Sequence, residues 1–177
     1  MIEVEGKARI SDIGLVRSRA KEFAKYIGRR LKVDDYYTLQ ERGYPEKSLR
    51  IRKFGGFYMV NFKRRISFKK GIHAKNEVEF KVSNIQGFLR LIKDFGYRKW
   101  LTKKKRSEIY ELEKNFHIEL NNVKSLGWFL EIEYLTNDGR IGNARRKVFK
   151  TFKKFGIKMN ELIKEGYTKM LWDKKKG

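Results

Sequence analysis

Residues 1–7 read Met1-Ile2-Glu3-Val4-Glu5-Gly6-Lys7. In a β-strand, successive side chains point to opposite faces, so Ile2 and Val4 share one face and Glu3, Glu5 and Lys7 the other. One such strand is commonplace, because half-buried strands turn their charges to water. The pattern recurs, however, in Glu77-Val78-Glu79-Phe80-Lys81 and in Phe129-Leu130-Glu131-Ile132-Glu133-Tyr134. Basic pairs at the same spacing stand at Arg50 and Arg52, Lys63 and Arg65, and Lys104 and Arg106. Acidic and basic pairs interleaved in this way predict one surface that holds both metal cations and polyphosphate.

Outward from the first strand, Ser11 or Asp12 caps a helix bearing Ile13, Val16, Ala20, Phe23, Ala24 and Ile27, with Gly28 as its stop. A strand over 31–39 contains Asp34-Asp35-Tyr36-Tyr37, and Gly43 and Pro45 mark a loop. Segments 48–53 and 57–66 form a hairpin across Gly55-Gly56. After the second acidic pair, Ser83 or Asn84 caps a helix with Ile85, Phe88, Leu89 and Ile92, and Gly96 ends it. Strand, capped helix, glycine stop and returning strand thus occur twice in the same order. The strand with Lys104 and Arg106 follows, then a hairpin partner over 116–121 and the third acidic strand. A helix over 141–155 and short elements near 160–163 and 167–171 complete the chain.

Helices among antiparallel, hairpin-joined strands define an α+β class. Roughly eight strands of this patterning close into an antiparallel β-barrel flanked by amphipathic helices. The outer face is then apolar under three helices and the inner face charged, which reverses the usual arrangement. The 177 residues suffice for one domain with a real core. It is placed at 1–172, with 173–177 as a basic disordered tail. Absent cysteines exclude disulfides and thiolate chemistry. Without a run of about 18 apolar residues nothing spans a membrane, and the acidic, alternating start is unlike a signal peptide. A cytoplasmic monomer or homodimer is expected. The formal net charge of +23 draws polyanions of any kind and names none.

Two carboxylates at i and i+2 on a strand lie about 7 Å apart, too far to chelate one ion snugly, so pairs on adjacent strands must converge. Mg²⁺ and Mn²⁺ take oxygen ligands and accept substrate phosphate alongside water. Converged carboxylates repel unless cations neutralise them. Arginine forks and lysine charges supply that compensation and bind phosphate. Such a site stabilises charge on a phosphoryl group in transfer. A single pair is more simply a solvent-facing salt-bridged surface. A non-catalytic polyanion or RNA binder is the reading from another class. It calls for aromatics interleaved on the charged face, and acidic pairs suit it poorly.

Taken in order, these segments resemble the CYTH family, the triphosphate tunnel metalloenzymes, along almost the whole chain. Glu3-x-Glu5-x-Lys7 resembles its opening signature and Asp34-Asp35-Tyr36-Tyr37 its Asp-x-Tyr-Phe strand. Leu49-Arg50-Ile51-Arg52, Lys63, Glu77-x-Glu79, Lys104-x-Arg106 with Tyr110, and Leu126 to Glu133 complete the series. The resemblance implies an eight-stranded tunnel for a triphosphate, with catalysis by Glu3, Glu5 and Lys7. It implies divalent metal, Mg²⁺ or Mn²⁺, held among Glu3, Glu5, Glu77, Glu79, Glu131 and Glu133. Phosphates would lie on Lys7, Arg50, Arg52, Lys63, Lys104 and Arg106. The implied activity is that of a class IV adenylyl cyclase, making cyclic AMP and pyrophosphate from ATP, or of a triphosphatase. A thiamine or inorganic triphosphatase without cyclase activity is the alternative, with thiamine triphosphate or tripolyphosphate as substrate.

Some positions depart from that pattern. Asn121 stands where relatives often have Asp, so one metal site is expected to lose charge. Arg64-Arg65 replaces a common Gly-Pro, and Gly166-Tyr167 a common Ser-Tyr. His73 is expected in solvent. Trp100, Trp128 and Trp172 read as packing residues.

Overall fold

The structure, a computed structural model, describes residues 1–176. Its strands are β1 (Ile2–Arg9), β2 (Lys25–Thr38), β3 (Leu49–Phe54), β4 (Phe57–Lys69), β5 (Ile72–Val82), β6 (Arg98–Glu113), β7 (Phe116–Val123) and β8 (Gly127–Thr136). The helices are α1 (Ile13–Phe23), α2 (Ile85–Asp94), α3 (Ile141–Lys154) and α4 (Tyr167–Lys174). The strands form a closed barrel in the order β1-β5-β4-β3-β2-β6-β7-β8, and β8 returns to β1. Every pairing is antiparallel.

The core lies outside the barrel wall, between strands and helices. Ile2, Val4, Ala8, Leu130 and Ile132 pack under Ala144, Val148 and Phe152 of α3. Gly6 permits that approach, because a Cβ there would meet Phe152 Cε2 at 2.8 Å. On the far side, Ile92 of α2 joins Ile51 of β3 and Val60 of β4. Asp12 caps α1 by accepting from Leu15 N, and Asn84 caps α2 by accepting from Gly87 N. Arg17 fastens α1 to β6 through two hydrogen bonds to Glu108, at 2.8 and 2.9 Å. No helix among the described residues is long and apolar enough to cross a membrane.

Four expectations change. Gly28 does not stop α1, which ends at Phe23; it lies within β2, at a register shift and with φ +146°. Ala24 is the C-cap of α1, and Lys25 to Ile27 open a strand rather than continue a helix. Among the described residues four α-helices, not three, surround the barrel, and α4 reaches Asp173 and Lys174 of the expected tail. The end of that tail, Gly177, lies outside the described residues. His73 is buried, and its Nε2 lies 3.0 Å from the Lys164 carbonyl, to which it donates.

Candidate functional site

Alternation along each strand turns one set of charged side chains into the barrel. Strand β1 supplies Glu3, Glu5 and Lys7, all buried although ionisable. Its neighbour β8 sets Glu133 opposite Glu5 and Glu131 opposite Lys7. Carboxylate oxygens of Glu3, Glu5 and Glu133 come within 4.8 Å of one another. Lysines frame this group: Lys63 bonds to Glu3, Lys75 to Glu5 at 2.5 Å, and Lys7 to Glu5 at 3.3 Å.

The electrostatics are uneven. Burial, reinforced by the charges of Glu133 and Glu5, pushes the Glu3 carboxyl well above the ordinary range despite Lys63. Burial likewise raises Glu133 to about 7, helped by nearby carboxylates. Glu5 goes the other way: against burial, Lys7 and Lys75 hold it well below the usual value. One buried oxygen, Glu3 Oε1, has no hydrogen-bond partner. Three close carboxylates, two of them reluctant to ionise and one with an unused oxygen, fit a hard divalent cation with oxygen ligands. Such an ion would be held by Glu3, Glu5 and Glu133.

The other proposed ligands sit apart from this group. Glu131 accepts from Asn121 Nδ2 at 3.1 Å and lies 3.9 Å from Lys105. Glu77 faces Lys63, Arg50 and Asn61. Lys63 and Arg50 overcome burial and lower it to about 2. Glu79, its side chain 42% exposed, pairs with Arg50 at 3.2 Å. Glu77 and Glu79 thus hold Arg50. Arg52 and Lys103 both grip the wholly buried Asp34, at 2.9 and 3.0 Å. That pair outweighs burial and keeps the Asp34 carboxyl far below the usual range.

Lys104 and Arg106 do not line the interior; both are exposed on the outer face of β6. The cause is a bulge near Leu112. Glu113 faces Phe116 across the turn, but Glu111, not Leu112, faces His117. One extra residue exchanges the two faces of everything upstream. Lys103, Lys105 and Ser107 therefore point inward, with Ser107 opposite the inward Asn121. Lys105 pairs with Glu119 at 3.0 Å, and Lys32 of β2 bonds to the same carboxylate. Arg65 is exposed as well. Lys32, Lys75, Lys103 and Lys105 are the interior cations that sequence reasoning missed. For Lys75 the signal was present, since it shares parity with Glu77 and Glu79.

One end of the barrel is covered. There Tyr167 of α4 packs on Phe129, with Lys7, Lys103 and Lys105 each 5.5 to 5.7 Å from its ring centre. Trp172 of α4 meets Trp100 and Tyr44, and the Tyr44 hydroxyl lies 2.9 Å from Thr168 Oγ1. The opposite end opens into a cavity of about 550 Å³ that reaches Lys32, Arg52 and Glu119.

A closed antiparallel barrel with paired carboxylates and cations on its inner face defines the class of tunnel-fold proteins. The chain belongs to the CYTH domain family, which matches residues 1–167. The PH1819 protein of Pyrococcus horikoshii OT3 is 25% identical, with 97% of this chain and 99% of that one covered and a TM-score of 0.80. The PH1012 protein of the same organism is 26% identical over 94% of this chain and 98% of that one, with a TM-score of 0.78. HpAC1 of Hippeastrum, for which a dominant triphosphatase activity is described, shares the fold. Its identity is 14%, its TM-score 0.63, and 98% of this chain and 96% of that one are covered. No curated protein matches the chain in sequence.

Proposed function

We propose that this chain is a divalent-metal-dependent enzyme that cleaves a phosphoanhydride bond of a triphosphate. Hydrolysis yields phosphate; with ATP, attack by the ribose hydroxyl yields cyclic AMP and pyrophosphate. The observation that carries this reading is the convergence of Glu3, Glu5 and Glu133 within 4.8 Å inside a barrel that also holds Lys7, Lys63, Lys75 and Lys105. A bound Mg²⁺ or Mn²⁺ supplies Lewis acidity and neutralises the carboxylates. The chain's own residues do the rest. Lys7, Lys103 and Lys105, with Arg50 and Arg52, present cations to phosphate oxygens. Asp34, Glu77 and Glu79 fix the arginines in place, so little reorganisation remains when charge develops. The CYTH membership and the triphosphatase activity described for HpAC1 support the same assignment.

A polyanion binder would not gather buried carboxylates at its centre, where they oppose phosphate. The test is a panel of ATP, thiamine triphosphate and tripolyphosphate with Mg²⁺ or Mn²⁺, scoring cyclic AMP and phosphate separately. Turnover with at least one substrate is expected, together with its loss in Glu133→Gln and in chelator. Absence of turnover with all three, alongside tight salt-sensitive binding of RNA, would replace the enzyme with a binder.

A further inference from the structure

The tunnel does not account for the charge of the chain. Each cation placed inside the barrel meets a carboxylate there, so the formal net charge of +23 resides on the outer surface. It is least compensated along α3, where residues 139–160 hold eight lysines and arginines and no carboxylate. We propose that the solvent face of α3 docks double-stranded nucleic acid by its phosphate backbone, without regard to sequence and independently of the tunnel.

Three observations carry this. First, the charged groups on this face are all cations. Among the described residues, Arg146, Lys150, Lys153 and Lys154 are exposed and none forms an ion pair, whereas Lys169 of α4 pairs with Asp173 one turn on. Like charges at i and i+4, Arg146 with Lys150 and Lys150 with Lys154, oppose helix formation. A surface shaped by stability alone would interleave glutamates as ion-pair partners. Lys153 and Lys154 lie in the last turn, where the helix dipole favours cations, but Arg146 and Lys150 precede it. Second, neighbouring elements extend the patch. Arg145 donates to Ser67 Oγ at 2.5 Å, which sets the end of β4, with exposed Lys69 and Lys70, beside the helix. At the C-terminal end, Arg19 of α1 comes so near Gly156 that a Cβ there would lie 3.4 Å from Nη1. Third, what the face lacks selects the partner. Ala144, Val148 and Phe152 are committed to the barrel core, so α3 has no apolar face to insert into lipid. A protein partner calls for aromatic or aliphatic anchors, and Lys153 covers the Phe149 ring, 5.1 Å from its centre. A single strand calls for free rings on which its bases stack. A duplex keeps its bases inside and presents one charge per about 1.7 Å of its length. That suits a cationic row running about 12 Å from Arg146 to Lys154.

The experiment measures, by fluorescence anisotropy, binding of short DNA and RNA duplexes with 5′-hydroxyl ends, which offer the tunnel no triphosphate. The arm that binds more tightly identifies the duplex. The intact chain is compared with Lys150→Gln/Lys154→Gln and, for an equal change of charge elsewhere, with Lys104→Gln/Arg106→Gln on the outer face of β6. At about 100 mM salt the α3 variant should bind at least about tenfold more weakly, and the β6 variant within about threefold of the intact chain. The slope of log affinity against log salt should become shallower by about two in the α3 variant, one for each phosphate contact removed. Tripolyphosphate turnover by that variant should stay within about twofold; a loss parallel to that of binding would assign these lysines to the tunnel and overturn the docking surface. Equal weakening in both variants also overturns it, in favour of diffuse charge. So does tighter binding of the corresponding single strands, or of vesicles containing phosphatidylserine, than of either duplex.

Discussion

Replacing Asn121 by Asp should destabilise the protein, and more so as pH rises. Asn121 is wholly buried. Its Oδ1 accepts from Ser107 Oγ at 2.6 Å, and its Nδ2 donates to Glu131 Oε2 at 3.1 Å. In Asn121→Asp an acceptor replaces that donor. The charge-assisted hydrogen bond, worth about 1.5–3 kcal/mol, is lost, and two carboxylates approach to a separation where repulsion reaches roughly 4 kcal/mol. Lys105 offsets little of this, being already paired with Glu119. Instead of carrying both charges, the folded protein retains a proton on the introduced carboxyl, raising its pKa above the unfolded value of about 3.9. More protons are then bound folded than unfolded, so stability falls as pH climbs from that value through the raised one. The expected cost is about 4 kcal/mol near pH 8 and about 1 kcal/mol near pH 5, where the protonated carboxyl can donate to Glu131. Urea unfolding of both proteins at the two pH values measures it. An equal loss at both, or none, would refute the contact between Asn121 and Glu131 as the cause.

The inward parity of β6 predicts that Lys105→Ala lowers triphosphate turnover at least about tenfold, while Lys104→Ala stays within about twofold; steady-state kinetics with the reverse ranking would contradict the bulge. His73, lowered to about 4 by burial and then by Lys75 and Lys7, should stay neutral in the folded protein until that pH. Its contribution to stability is complete above about 6.5 and is lost as pH falls toward 4, which an imidazole NMR titration with a midpoint near 6.5 would disprove. Gly6→Ala sets a methyl against Phe152 and should cost about 1–3 kcal/mol in urea unfolding; unaltered stability would show that α3 yields freely. Saturating Mg²⁺ should stabilise the chain by about 2.7 kcal/mol at a hundredfold excess over its Kd and do so far less in Glu133→Gln, as thermal unfolding would report.

Much of the barrel was legible because polarity alternates with period two over β1, β3, β5 and β8. Leu49 and Ile51 outside and Arg50 and Arg52 inside needed only that rule. The hairpin at Gly55-Gly56 and the caps at Asp12 and Asn84 followed from turn and capping chemistry. What escaped was anything governed by an inserted residue. In β6, four consecutive cations, Lys103 to Arg106, leave parity open, and the bulge near Leu112 that decides it has no glycine to announce it. Gly28 misled for a related reason: its positive φ serves a strand irregularity, although a glycine after an amphipathic run usually ends a helix. His73 could not be placed because its partner, the Lys164 carbonyl, belongs to a distant backbone segment. The cluster of converging carboxylates was only half visible. Glu3, Glu5 and Glu133 were named, but so were Glu77, Glu79 and Glu131, and only the pairing of β1 between β5 and β8 tells them apart.

That double pairing of β1 bears on how the chain is made. Of the eight strands described, β1 is made before the others and has no hairpin partner: Glu3 faces Lys75 on one side and Leu135 on the other. It must wait through most of synthesis before its backbone groups are matched on both edges, a long-range closure that folds slowly. An unpaired apolar strand waiting that long would recruit other nascent chains. Glu3, Glu5 and Lys7 guard against this, because charges on an unmatched strand discourage edge-to-edge pairing. The carboxylates of the finished tunnel thus act beforehand as gatekeepers of the growing polypeptide.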